Sequence, residues 1–173
     1  MSEPQILPYG SWPSPISIDL AVGSSRGLSE PRQDGDDIYF LESRPEEKGR
    51  VVLLRRTPDG ALVDMAPGLN VRTRVHEFGG GSYAVSDGVI VLSEFDENRL
   101  LLKGSPEAEP GELVTDPALR FADMSIDLVR DRAYAVMEDQ ADSVVAARNL
   151  IVSVSLADGA ITELATGHDF YSD

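Results

Sequence analysis

The feature that most constrains the fold of this chain is an approximate internal repeat of strand-like segments. Three segments begin alike, with a polar turn before an alternating apolar strand, at residues 36–42, 87–94 and 131–138. Their continuations also align, at residues 51–63, 100–106 and 150–162. A period of roughly 40–50 residues that carries about four short strands is typical of a β-propeller blade.

The repeat predicts an all-β fold with about three four-stranded antiparallel blades. Known propellers have about four to eight blades, so we expect an incomplete propeller. No amphipathic pattern of ten or more residues follows Val22, which argues against a doubly wound α/β fold. The predicted organisation is an extended N-terminal arm at 1–27 and a partial propeller at 28–173, with blades at about 28–68, 79–117 and 120–166.

The arm is predicted from its composition. Residues 1–15 are rich in Pro, Gly and Ser, and we expect Tyr9 and Trp12 to anchor them by packing. Residues 16–22 alternate apolar and polar side chains, which favours a strand, although a short helix fits the same residues.

Charge and cysteine content exclude several kinds of partner. The chain has 30 Asp and Glu against 15 Lys and Arg, a formal net charge of −15. This balance argues against nucleic acids and anionic membranes as partners, because both are bound through clustered basic residues. The absence of cysteine excludes disulfides and thiolate chemistry. We find no signal-peptide pattern and no apolar run long enough to span a bilayer, so a cytoplasmic location is expected.

The densest candidate site is the segment before the second blade. Arg72, Arg74, His76 and Glu77 precede three consecutive glycines, Gly79–Gly81. Bare backbone amides and two arginines could grip a carboxylate or a phosphate. The alternative is an inter-blade crossover whose glycines let the chain pass close to its neighbours. Either interpretation places these residues on an inter-blade connection, near a channel opening.

Adjacent acids give a second candidate. Glu138 and Asp139 end a predicted strand, where they could bind a substrate ammonium or simply form a solvated turn. With two histidines and no HExxH spacing, no metal site and no cofactor are predicted. No Gly-x-Ser-x-Gly motif occurs, so no catalytic residue is assigned in this chain.

Four motifs resemble the N-terminal propeller of prolyl oligopeptidase-family serine peptidases. The similar branch is that of the bacterial acylaminoacyl-peptidases and dipeptidyl-aminopeptidase-like proteins. The motifs lie at residues 8–16, 34–39, 70–81 and 167–172.

The resemblance implies a function for the blades. In that family a propeller caps a C-terminal α/β-hydrolase domain that holds the catalytic Ser, Asp and His, and none of those motifs occurs here. The chain is therefore expected to be a propeller fragment that gates peptide access, with a peptide substrate and the hydrolase domain as partners. We also expect the fragment to self-associate. The alternative is a non-enzymatic propeller that binds a peptide or protein.

Overall fold

The residues that the structure describes form three separate four-stranded antiparallel sheets that follow one another in sequence. The structure is a computed structural model, and it describes residues 6–11, 16–17, 25–141 and 147–172. Within each sheet the strands are hydrogen-bonded in sequence order. The prediction of an all-β fold with three four-stranded blades is confirmed.

The strands group into three blades. Blade 1 contains β1 (Leu28–Asp34), β2 (Asp37–Arg44), β3 (Arg50–Arg56) and β4 (Leu62–Asp64). Blade 2 contains β5 (Tyr83–Ser86), β6 (Val89–Glu94), β7 (Arg99–Lys103) and β8 (Gly111–Val114). Blade 3 contains β9 (Leu119–Asp127), β10 (Arg132–Asp139), β11 (Arg148–Ser155) and β12 (Ile161–Thr166). In the described part of the chain, two 3-10 turns, Pro45–Glu47 and Val75–Glu77, lie between strands.

Alternation along the strands of blade 2 explains how the blades stack. Tyr83, Leu92 and Leu101 pack with side chains of blade 1, such as Tyr39 and Leu53. Their neighbours in sequence point to the opposite face of the sheet. Ala84, Val91 and Leu100 accordingly pack with blade 3. Blade 2 is therefore buried on both faces, which accounts for its nearly continuous apolar strands.

The predicted tight turns also connect neighbouring blades. Asp87 and Gly88 have φ angles of 47° and 78°. Positive φ at both central residues defines the hairpin turn that matches the twist of its strands, and Asp-Gly favours it. The carboxylate of Asp34, in blade 1, accepts hydrogen bonds from the Asp87 and Gly88 amides at 2.9 and 2.7 Å. One hairpin thus caps the next.

The predicted N-terminal arm is described only in part. Trp12 and residues 18–22 lie outside the described residues, so the predicted anchor at Trp12 and most of the element at 16–22 are not addressed. Tyr9 is described and fully exposed. The prediction that Tyr9 packs as an anchor is therefore wrong, because its ring contacts no core.

Each outer blade exposes several apolar side chains and carries an open groove. On blade 1 an apolar groove of about 250 Å³ lies beside β1. Leu28 is 65% exposed and Leu62 is 59% exposed. On blade 3, Tyr134 and Ile151 line a second groove of about 170 Å³. Exposed apolar side chains that gather into a patch often mark an interface or an aggregation liability.

We expect the 173-residue chain to self-associate through these outer faces. Salt screens charges beyond about 8–10 Å, so the net charge of −15 should not prevent contact-range attraction. Light scattering over a concentration series, with and without added salt, should show a mass that rises with concentration and with salt. A monomer with a sharp cooperative melt at every concentration would contradict this expectation.

Candidate functional site

The predicted site residues lie at one face of the blade array. In a meander of antiparallel strands, the connection between blades and the turn between the second and third strands lie at the same end. Phe95 donates a backbone hydrogen bond to Asn70 O, and Gln140 donates one to Ala118 O, each at 2.9 Å. We call this end the crossover face; it comprises the connections 65–82 and 115–118, the turns 95–98 and 140–141, and the segment 167–172.

Arg120 is the centre of the charge network on the crossover face. Strand pairing places it directly opposite Glu138. Its Nη1 donates to Glu138 Oε2 at 3.2 Å, to Glu77 Oε1 at 2.8 Å and to the carbonyl oxygen of Arg74 at 3.2 Å. The hydrogen bond from Arg120 lowers the pKa of Glu77. One arginine therefore ties blade 3 to the connection between blades 1 and 2.

Glu138 and Asp139 do not form a joint acidic site. Glu138 is only 5% exposed and forms an ion pair with Arg120. Asp139 accepts a hydrogen bond from the Ala141 amide at 2.9 Å and lies 3.9 Å from Arg148. Adjacent residues of a strand point to opposite faces, so the two carboxylates serve different arginines.

Arg72 and Arg74 share one aromatic ring. Their guanidinium carbons lie 5.0 and 3.9 Å from the centroid of Phe95. Both distances are within the range of a cation–π contact. Among the described residues neither side chain has a carboxylate within 4 Å.

A small cavity lies beneath these arginines. Its free volume is about 10 Å³, room for one water molecule. Arg120 also lines it, and the buried Nε of Arg120 has no hydrogen-bond partner in the described part of the chain. The full lining is Arg72, Thr73, Arg74, Ser93, Glu94, Asn98, Arg99, Leu119, Arg120 and Phe121.

His76 and Glu77 occupy a strained turn. Their φ angles are 55° and 61°, in the left-handed region that residues other than Gly rarely adopt. His76 Nε2 lies 3.1 Å from the carbonyl oxygen of Tyr171, and the His76 ring meets the Phe170 ring edge-on at 5.0 Å. His76 is thus held against the segment that follows β12, while Glu77 extends outward to Arg120.

The glycine run lies on the inter-blade connection, as predicted, and the amides at its two ends already have partners within the protein: Gly79 N donates to the carbonyl oxygen of Val75 at 2.9 Å. Gly81 N donates to Asp123 Oδ1 at 2.6 Å, and Ser82 N donates to Glu30 Oε2 at 2.8 Å. A Cβ at Gly80 would come within 2.9 Å of the Ala122 side chain. The glycines therefore let the connection between blades pass close to its neighbours. Carboxylates of the protein itself occupy the place that an external anion would take.

Glu30 of blade 1 and Asp123 of blade 3 occupy equivalent positions in their blades, and both accept hydrogen bonds from amides at the end of the glycine run. Each lies in the first strand of its blade with positive φ, 50° and 52°. Burial raises the pKa of Glu30, and the hydrogen bond from the Ser82 amide opposes that rise. The carboxylates thus reach adjacent amides of blade 2 from the two sides.

Sequence reasoning missed Phe95, Arg120, Glu30 and Asp123. A signal for Phe95 was present, since it is the one aromatic residue in a polar turn, Phe95–Asn98. Arg120 and the two acids carry no such signal, because their partners are set by strand register and by contacts between blades.

A cluster of metal-ligating side chains and a membrane-spanning helix are both absent from the described residues. Within residues 6–11, 16–17, 25–141 and 147–172, no three His, Asp or Glu side chains come together as a possible metal site. The same part of the chain contains no helix long and apolar enough to cross a membrane.

Comparison with solved structures identifies the class to which these blades are similar. No protein-family model and no curated protein matches the chain. Solved peptidase structures do match it in both fold and sequence. The blades resemble part of the prolyl oligopeptidase family, and the resemblance predicted from the sequence motifs is confirmed.

The particular structures are puromycin-hydrolysing enzymes. A puromycin-hydrolyzing peptidase of Mycobacterium tuberculosis matches 95% of this chain with 33% identity and a TM-score of 0.80. A mutant puromycin hydrolase complexed with PGG matches 95% with 30% identity and a TM-score of 0.78. The chain spans 28% of the length of each. A chain of a nidogen/laminin complex, at 12% identity over 76% of this chain and a TM-score of 0.54, shares the fold alone.

Proposed function

We propose that these blades belong to the propeller of a prolyl oligopeptidase-family serine peptidase, and that the propeller gates peptide access to a C-terminal α/β-hydrolase domain. The observation that supports this proposal is the similarity over nearly the whole chain to peptidases several times its length. The reaction of the whole protein would be hydrolysis of an amide bond, in puromycin or near the end of a peptide, by a serine nucleophile in the hydrolase domain.

The crossover face is the part of the structure that suits a gating role. Its connections are cross-linked by Arg120 and by the acids that hold the Gly81 and Ser82 amides. A rim fixed in this way would admit an extended chain and exclude a folded protein. The predicted channel residues Arg72, Arg74, His76, Glu77, Glu138 and Asp139 all lie on or next to this face.

We expect the 173-residue chain alone to have no peptidase activity. It lacks a Gly-x-Ser-x-Gly motif, and a serine without an activating base is a poor nucleophile at neutral pH. The purified chain should not turn over puromycin, aminoacyl-nitroanilides or acylated peptides above background. Turnover that survives repurification would overturn this expectation.

The sequence and activity of the full-length polypeptide that contains these residues would decide between the two candidate functions. The peptidase proposal requires a Gly-x-Ser-x-Gly motif with later Asp and His, and turnover of short peptides but not of folded proteins. A polypeptide without that motif that still binds peptides would instead be a non-enzymatic propeller. A cytoplasmic location is part of the proposal, and fractionation of cells that express the tagged protein would test it.

A further inference from the structure

Arg72 and Arg74 differ from most arginines of this acidic chain. Five half-buried arginines, Arg44, Arg50, Arg55, Arg99 and Arg120, each contact at least one carboxylate within 4 Å, whereas half-buried Arg32 and Arg132 contact none among the described residues. Arg72 and Arg74 contact none among the described residues, although the chain has twice as many acidic as basic residues. The positive charges of this pair are therefore not neutralised by a carboxylate of the described residues, although carboxylates are abundant in the chain.

The two guanidinium groups are also held close together. Since both contact the Phe95 ring, their central carbons are at most about 9 Å apart. Like charges this close repel, and an anion that contacts both guanidinium groups would relieve the repulsion. The aromatic ring restrains both side chains, which lowers the entropy that a ligand must remove when it binds.

The surroundings favour a small anion with a single charge. Arginine presents planar N–H donors that match the two oxygens of a carboxylate. The cavity below, with about 10 Å³ of free volume, is too small to take the ligand, so the anion would meet the guanidinium groups at the surface. The carboxylate of Glu94 lines the same cavity as the two arginines, and that of Glu77 lies near Arg74; both disfavour a doubly charged phosphate.

We propose that Arg72 and Arg74 bind the C-terminal carboxylate of a short peptide at the crossover face. This inference rests on the proposed function, which brings peptides to that face, and it adds which end of the peptide is held. The Gly79–Gly81 run does not take part, because carboxylates of the protein occupy the Gly81 and Ser82 amides.

Binding of matched peptides to the 173-residue chain tests the proposal. The probes are acetyl-Ala-Ala-Ala with a free C-terminal carboxylate, the same peptide as an amide, and acetyl-Ala-Glu-Ala-amide. Titration followed by NMR should show the free acid binding at least about tenfold more tightly than the amide, since charged hydrogen bonds are worth that much or more. The Glu-containing amide should bind more weakly than the free acid if the chain end is what is recognised.

Variants locate the carboxylate. The double change Arg72→Gln and Arg74→Gln should abolish the preference for the free acid. Arg56→Gln is the matched control, because Arg56 is exposed, has no described carboxylate partner and lies at the opposite end of its blade; it should keep the preference. If circular dichroism shows that the double variant does not fold, Arg72→Gln alone is used, because this side chain is exposed. It should weaken the preference for the free acid.

The outcomes separate this inference from the proposed function. Equal binding of acid and amide overturns the carboxylate site and leaves the peptidase proposal standing, since that proposal is decided by turnover of the longer polypeptide. A preference that survives in the Arg72 and Arg74 variants, or that disappears equally in Arg56→Gln, also overturns the site. Failure of every peptide to bind overturns it as well.

Discussion

Replacing Gly159 with alanine is expected to destabilise this protein much more than the same change at Gly60. Both glycines follow an aspartate in the turn between the third and fourth strands of a blade, with φ of 72° and 90°. A Cβ at Gly159 would overlap the carbonyl oxygen of Leu113 in blade 2, whereas at Gly60 the nearest atom is the end of the flexible Arg56 side chain, at 3.8 Å.

The two substitutions therefore separate backbone strain from a clash between blades. Strain alone should cost about 1–2 kcal/mol at Gly60. At Gly159 the overlap adds the cost of overpacking, for a loss of about 2–5 kcal/mol in the free energy of unfolding. Chemical denaturation of the two variants measures the difference. Equal losses would show that blade 2 does not approach the Gly159 turn as described.

Removing the Arg120 side chain should be similarly damaging. Arg120→Ala leaves Glu138, which is almost fully buried, without its cation, and breaking a buried ion pair from one side costs about 3–5 kcal/mol. Glu77→Gln weakens a bond to the same arginine, but the Glu77 side chain is exposed and solvent screens the pair, so the expected loss of stability is much smaller.

A double variant distinguishes an unpaired charge from lost packing. Arg120→Met combined with Glu138→Leu replaces the pair with apolar side chains of similar size and should recover most of the stability that Arg120→Ala loses. Thermal and denaturant unfolding of the four proteins gives the comparison. A small effect of Arg120→Ala, no larger than that of Glu77→Gln, would mean that Glu138 is not buried against this arginine.

The blades could be predicted from the sequence because their physics is local. Alternating apolar strands and Asp-Gly turns recur within short windows, and both are visible without knowledge of distant contacts. The continuous apolar run of blade 2, at Val89–Leu92, was part of that pattern. Its cause was not visible, since burial on both faces depends on blades 1 and 3.

The site could be predicted only in part. The cluster of Arg72, Arg74 and the glycines was conspicuous in composition, and its position on a connection followed from the repeat. The pairing of Arg120 with Glu138 depends on the register of β9 and β10, which a sequence does not reveal. Glu138 and Asp139 look like a pair when read in sequence, but strand geometry sends them to different partners.

The contact of Glu30 and Asp123 with adjacent amides has a mechanical consequence. Because blade 1 and blade 3 each hold the residues just before β5 through a carboxylate, the middle blade cannot tilt away from either neighbour without stretching a hydrogen bond. The three blades should therefore move as one stiff sector. Slow amide hydrogen exchange at Gly81 and Ser82 would report the stiffness of this sector.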